Sequence, residues 1–158
     1  MKNGGDSMKY NPYVLTALAQ LIEIATSPNT STLTDQCARI LMLVNAERAK
    51  FGIGPLIMSS ALNKLAVAKS QDMVKKNYFS HRSPTYGSPF DMLKSYGINY
   101  NWAGENLSID KYADSAHTAL LNSKVHRDNI LNPNFREIGI GIYAKGNNSY
   151  AYTQLFIG

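Results

Sequence analysis

Three histidines (His81, His117 and His126) and one carboxylate in a Gly-Glu-Asn setting, Glu105, carry most of the chemistry this sequence can offer. A neutral imidazole is a good ligand for zinc and related divalent ions. A carboxylate can serve as a further ligand, or as the acceptor that orients an imidazole N–H. Spacing restricts the pairings. His117 and His126 are nine residues apart, which on one continuous helix sets them on opposite sides. His117 is therefore a poor partner for His126 and reads as a surface or partly packed residue. His81 and His126 are so distant in sequence that only tertiary structure can join them. Three stretches read as one cleft lined by two imidazoles and a carboxylate: Tyr78-Phe79-Ser80-His81, Ala103-Gly104-Glu105-Asn106, and the segment from Ser123 through His126 to Ile142. The competing reading is plain architecture, with each imidazole satisfied by a backbone carbonyl and Glu105 holding a loop through backbone amides. Spacing alone leaves both open.

Other chemistries find less support. Ser80, Ser83 and Ser123 lie near a histidine in sequence, but none sits in a Gly-x-Ser-x-Gly elbow. There is no Gly-rich phosphate loop and no His-Glu-x-x-His helix. The single cysteine, Cys37, rules out an intramolecular disulfide. It shares a helical face with Ile40, Leu41 and Val44 and reads as a buried structural thiol.

These residues need a frame. A chain of 158 residues with 44% apolar content can bury one core. No apolar run approaches the ~20 residues that cross a bilayer. The net charge of +5 comes from scattered Lys and Arg, which reads as a basic surface and not as a nucleic-acid site. Tyr13 to Ala19 is too short for a convincing signal peptide, since Gln20 and Glu23 follow at once.

The periodicity predicts a helix over about 12–26, opened by Asn11-Pro12, and then a linker. A second helix is expected from Thr34 to Lys50, ended by Gly52 and Gly54. A third should run from Ser59 or Ser60 to Lys76, burying Leu62, Leu65, Ala66 and Met73 and turning Asn63, Ser70 and Lys75 to water. Ser88-Pro89 opens a short helix closed by Gly97. Ile98 to Ser108 is extended or looped. A further helix covers Tyr112 to Ser123, with His126 near its end. Ile138, Ile140 and Ile142 alternate with glycines, and Tyr150 to Ile157 is apolar on both faces. With Gly146-Asn147-Asn148 between them, these predict an antiparallel hairpin covered on both sides by helices.

The ordered series of short motifs resembles the CAP superfamily of cysteine-rich secretory proteins, antigen five and pathogenesis-related proteins, and looks most like its disulfide-free bacterial SCP-like branch. It begins with Leu43-Val44-Asn45-Ala46-Glu47-Arg48 and Gly54-Pro55-Leu56, then Asp72-Met73, Tyr78-Phe79-Ser80-His81 and Gly104-Glu105-Asn106. Asn122-Ser123-x-x-His126-Arg127, Asn129-Ile130-Leu131, Ile138-Gly139-Ile140-Gly141 and Gln154-Leu155-Phe156 complete it. The resemblance implies an α+β fold, a three-layer α-β-α sandwich with a central antiparallel sheet, over residues 34–158. Residues 1–33 then form a separate lead, extra helix and linker.

The family's cleft holds a divalent ion between two His and two acidic residues. His81, Glu105 and His126 match three of these positions. Asn122 or Ser123 stands where the second acid belongs, and Leu120 and Lys124-Val125 replace the usual Trp and Pro-Gly. The resemblance implies His81 and His126 as metal ligands and Glu105, Asn106 and Ser123 as cleft residues. It implies one weakly bound divalent cation, zinc first, and no organic cofactor. Members bind sterols, fatty acids and metals, so the implied function is an exported or cell-surface protein, leaning non-catalytic, that binds a small apolar ligand or a cell-surface component. A metal-dependent hydrolase and a structural or adhesive module are the alternatives.

Overall fold

Ile138, Ile140 and Ile142 on one side of a strand, and Gly139 and Gly141 on the other, dictate the architecture. In the computed structural model, which describes residues 33–158, that strand lies inside a four-stranded sheet. The helix expected over 12–26 and its linker lie outside the described residues. The order of elements is α1 (Leu33–Lys50), β1 (Ile57–Met58), α2 (Ser60–Lys75), α3 (Pro89–Ser95), β2 (Ala103–Asp110), α4 (Ala113–Asn122), α5 (Lys124–Ile130), β3 (Glu137–Gly146) and β4 (Ser149–Ile157). The sheet runs β1-β3-β4-β2.

Antiparallel pairing of β3 with β4 follows from the tight turn at Asn147 and Asn148, both with φ near +50°. Two successive left-handed residues match the twist of a two-residue hairpin, and asparagine tolerates that conformation. β2 pairs antiparallel with β4, placing Glu105 opposite Leu155 and Asn106 opposite Gln154. Of the stretch read as extended or looped, the part from Ala103 on is extended, within the eight-residue strand β2. The sheet also contains one parallel pair, β1 with β3, of only two residues.

Side-chain alternation sorts the core into two layers. On one face Ile138, Ile140, Ile142, Tyr152 and Phe156 pack with Ile40 and Val44 of α1, Ala116 and Leu120 of α4, and Ile130 of α5. On the other face Leu155 packs with Leu62, Leu65 and Ala66 of α2 and Met92 and Leu93 of α3. Helices therefore cover both faces, giving the expected α-β-α sandwich. On the second face α2 presses directly on β3. A Cβ added at Gly141 would lie 2.0 Å from the Ala66 carbonyl carbon, and one at Gly139 would lie 2.4 Å from that of Leu62.

Two residues expected in water face this sheet instead. Ser70 is fully buried and donates to Gly141 O at 3.1 Å, with Thr153 Oγ1 2.8 Å away. Asn63 Oδ1 accepts from Ile140 N at 2.8 Å. For Asn63 the cause is the brevity of β1. Beyond Met58 the outer edge of β3 has no strand partner, so its buried N–H groups need acceptors from a helix. The helix expected over Tyr112–Ser123 also differs, since the chain breaks at Ser123 (φ −95°, ψ 121°) and His126 falls in a new helix, α5.

Candidate functional site

Glu105 is placed on β2 by its register with Leu155, so its side chain points to the face covered by α2. There it is nearly inaccessible, with 1% of the side chain exposed. His81 reaches it from the segment following α2, and Nδ1 donates to Oε1 at 2.8 Å. The imidazole itself remains 55% exposed. An acceptor on Nδ1 fixes the ring orientation and presents Nε2 outward. The backbone-amide reading of Glu105 is not what forms, because its partner is the imidazole. Its other oxygen, Oε2, is buried with no hydrogen-bond partner among the described residues. A buried unsatisfied carboxylate oxygen is costly, and it marks a place where a donor or a cation gains most.

The segment that carries His81 is held by a buried lysine. Lys69 is 1% exposed, and its Nζ donates to Ser80 O at 2.7 Å and His81 O at 2.9 Å. Burial pulls its pKa down, while Glu105 and Asp72 push it back up. Three residues on, Asp72 accepts from Tyr78 Oη at 2.6 Å, Ser83 Oγ at 2.7 Å and Thr85 Oγ1 at 2.6 Å. Burial alone would raise the Asp72 pKa. The bonds from Thr85, Tyr78 and Ser83, and the charge of Lys76, outweigh it and hold the carboxyl at about 2. Lys69 thus holds the middle of the 78–85 segment and Asp72 its two ends, and sequence reading assigned neither a role. The signal was present in Lys69, a charge in phase with Leu62, Leu65, Ala66 and Met73 on the buried face.

His126 comes from α5, on the far side of β2. Burial first, then the His81 imidazole nearby, lower its pKa. Asn106 ties α5 to the sheet. Its Nδ2 donates to His126 O at 3.1 Å and to Gln154 Oε1 at 3.0 Å, and its Oδ1 accepts from Asn129 at 2.9 Å. Asn106 has no exposed surface, so it lies behind the cleft as a positioning residue and offers no atom to a ligand. Ser123 is half-buried at the α4–α5 junction and makes no side-chain cap bond. His117 lies away from this group, buried in α4, with Nδ1 unpaired. It was expected at the surface or partly packed, and it is buried. Burial lowers its pKa, partly opposed by Glu47 and Asp114.

The structure therefore brings His81 and Glu105 into contact and sets His126 near them. Among the described residues no group of three or more His, Cys, Asp or Glu is gathered as a metal cluster. A cation held here would have to take the two imidazoles as its ligands, with Glu105 behind His81 as the orienting acceptor. Beside the Tyr78–His81 segment, a groove of about 210 Å³ is lined by Met73, Val74, Phe79, Ile109 and Ala151, with Lys145 at its edge. None of the helices among the described residues is long and apolar enough to cross a membrane.

Residues 41–156 match the family model described as the cysteine-rich secretory protein family, CAP. The Bacillus subtilis protein YkwD is 53% identical over 121 residues, which are 76% of this chain and 46% of that protein. The membrane protein YlbC of the same organism is 37% identical over 121 residues, 75% of this chain and 33% of that one. The chain thus spans less than half the length of these relatives. An extracellular protein containing an SCP domain from Bacillus anthracis superposes with a TM-score of 0.73 at 34% identity, over 78% of this chain and 40% of that one. An outer surface protein from Borrelia burgdorferi gives 0.73 at 18% identity, over 82% and 95%, a likeness of fold alone.

Proposed function

The chain belongs to the CAP family of cysteine-rich secretory proteins, and on that premise we propose that it is an exported or cell-surface domain that binds without catalysing. Its cleft takes one divalent cation, zinc first, held weakly by His81 and His126, and a small apolar or cell-surface ligand beside it. The 34–158 segment is the functional unit, and residues 1–33 are an attached lead.

The observation that carries this reading is the His81–Glu105 pair, a buried carboxylate orienting an exposed imidazole. A carboxylate behind a histidine fixes the tautomer and raises the basicity of the outer nitrogen, which is how ligating imidazoles are commonly supported. When bound, the cation supplies positive charge and open positions for water or ligand. Two protein ligands make a weak site, not a structural one. The groove beside Phe79, lined by apolar side chains together with Asn77, Tyr78 and Lys145, supports the ligand half of the reading. A binding role is favoured over hydrolysis because Glu105, the obvious general base, is shut away from solvent and committed to His81, whereas a base must reach the proton it removes. Ser83 and Ser80 are engaged with neighbouring groups as well. Ser83 Oγ donates to Asp72 and accepts from Thr85 N and Tyr86 N, and Ser80 Oγ accepts from Arg82 N.

Zinc titration by calorimetry tests the site. Wild type should bind one ion with modest affinity, Glu105→Gln about tenfold to a hundredfold more weakly, and the His81→Ala/His126→Ala variant not at all. Equal binding by wild type and the double variant, or none by either, removes the metal. Mass spectrometry of protein extracted as purified should show a co-purifying apolar molecule. Turnover of ester or peptide substrates that Glu105→Gln abolishes would replace binding with hydrolysis.

A further inference from the structure

The connection from α3 into β2 is unusually rich in exposed aromatic side chains. Phe90, Tyr96, Tyr100 and Trp102 are 49%, 55%, 36% and 53% exposed. Nothing in the cleft uses them. The rings of Tyr100 and Phe90 are tilted at 40° to each other with centroids 6.5 Å apart. Next to them a concavity of about 410 Å³ is lined by Asn99, Tyr100, Asn101, Arg136, Glu137 and Gly158, at the end of the sheet formed by the start of β3 and the end of β4. It has no residue in common with the His81–Glu105 group.

The floor of this concavity is fixed before any ligand arrives. Asn101 N and Trp102 N both donate to Gly158 O at 2.8 Å, and Gly158 N donates back to Trp102 O at 2.9 Å. The aromatic connection is thereby clamped to the end of β4. Arg136 is anchored by Nη1, which donates to Pro133 O and Phe135 O. Among the described residues, no hydrogen bond or ion pair engages the side chains of Asn99, Asn101 or Glu137.

A ligand for this place needs a flat C–H surface for Tyr100 and a rim of both donors and acceptors for the amides, Arg136 and Glu137. An aromatic face carries negative charge density and attracts weakly positive C–H groups. Tyrosine presents that face at little cost in conformational entropy. Oriented polar groups around an apolar floor are how small-molecule sites obtain specificity. A membrane surface does not fit, since Glu137 and two asparagines interrupt the apolar area. A hexopyranose ring, with C–H groups on its faces and hydroxyls at its edge, fits on both counts. We propose that the concavity beside Tyr100 is a subsite for a hexopyranose unit of an oligosaccharide, stacked on Tyr100 and hydrogen-bonded at its rim by Asn99, Asn101, Arg136 and Glu137.

Trp102 is the only tryptophan of the chain and lies in the clamp, so its emission reports on the site. The intact protein is titrated with cellohexaose and with chitohexaose, followed by Trp102 fluorescence and by calorimetry. At least one should bind saturably in the millimolar range or tighter. Tyr100→Ala should weaken that binding about threefold to tenfold, the worth of one aromatic contact, and Tyr100→Phe by less than about twofold. Arg136→Ala serves as a second probe, with a loss of similar size, should Tyr100→Ala melt early. The His81→Ala/His126→Ala variant should bind the saccharide as wild type does, which separates this result from the fate of the cleft. Absence of saturable binding by both saccharides in both assays overturns the proposal. So does binding that neither Tyr100→Ala nor Arg136→Ala weakens.

Discussion

The two faces of the sheet are covered by helices in opposite ways. The face under α1, α4 and α5 is filled by large apolar side chains, among them Ile138, Ile140, Phe156 and Phe135, whose ring stacks on Phe156 with centroids 5.3 Å apart. The face under α2 has glycines where the other has isoleucines, and it admits Ser70, Thr153, Lys69, Asp72 and Glu105 to the interior. Burying large side chains stabilises by roughly 1.5–3 kcal/mol each, whereas buried polar groups stabilise little once their own desolvation is counted. The first face supplies most of the stability. The second gives up hydrophobic area for fixed geometry, and the His81–Glu105 pair stands on that geometry.

The sharpest test of this division is Phe156→Ala, which should cost about 4 kcal/mol in denaturant unfolding. The cost should come from the midpoint with the zinc affinity of the surviving folded protein unchanged. Gly141→Ala probes the opposite face through volume alone. Its Cβ would meet Ala66 backbone, so α2 must move, and a loss of about 3 kcal/mol is expected. A loss below about 1 kcal/mol would mean that α2 is not pressed on β3.

Asp72 tests the charged part of that face. Its folded pKa of about 2 lies below the ordinary carboxylate value, so its contribution is present above pH ~4 and is lost as pH falls through ~2. Asp72→Asn should cost about 2 kcal/mol at neutral pH, and the gap between variant and wild type should close toward pH 2. A gap that persists at pH 2 would assign the effect to packing.

Lys69→Met should do less to stability, about 1 kcal/mol, because relief from burying a charge offsets the lost bonds to Ser80 O and His81 O. Its mark should be local. Amide exchange across 78–83 should accelerate while that of α1 does not change. Uniform acceleration would contradict a role confined to the site.

The smallest effect concerns Cys37, packed against the apolar cluster with Sγ 3.7 Å from Ile140 O. Burial raises its pKa to about 11. A thiol reagent at neutral pH should label it at least a hundredfold more slowly in the native state than in denaturant, as two pKa units of lost thiolate require. Fast native labelling would open the dry face to solvent.

What could be read in advance follows the same division. The faces of α1 and α2, the Ile138–Ile142 alternation and the Asn147-Asn148 turn all depend on local period, and each is where the sequence puts it. Polar residues inside were misread because burial of a polar group depends on partners that come from elsewhere. Ser70 needs Gly141 and Thr153, and Asn63 needs the bare N–H of Ile140. β2 stayed open between extended and looped because Glu105, Asn106 and Ser108 break any apolar alternation, yet all three are buried. Arg48 was quoted within a motif but given no task. It lies in phase with Ile40 and Val44, is 1% exposed and donates to the carbonyls of Gly54, Ile130, Asn132 and Phe135. A charge in step with an apolar stripe was the legible sign for both Arg48 and Lys69. The meeting of His81 with Glu105, twenty-four residues apart, had no local sign at all.

The position of β4 has a consequence for biosynthesis. It is the last strand in sequence, yet it lies between β2 and β3 and pairs with both. A chain made from its N-terminus has every helix finished before the sheet can close. The apolar stripes of α1, α2 and α4 must wait uncovered for Ser149–Ile157 to emerge, at a synthesis rate of roughly 5–20 residues per second. During that interval the strand edges of β2 and β3 are open as well. Until Ser149–Ile157 is delivered neither layer can be completed, and the two layers and the cleft are then gained together.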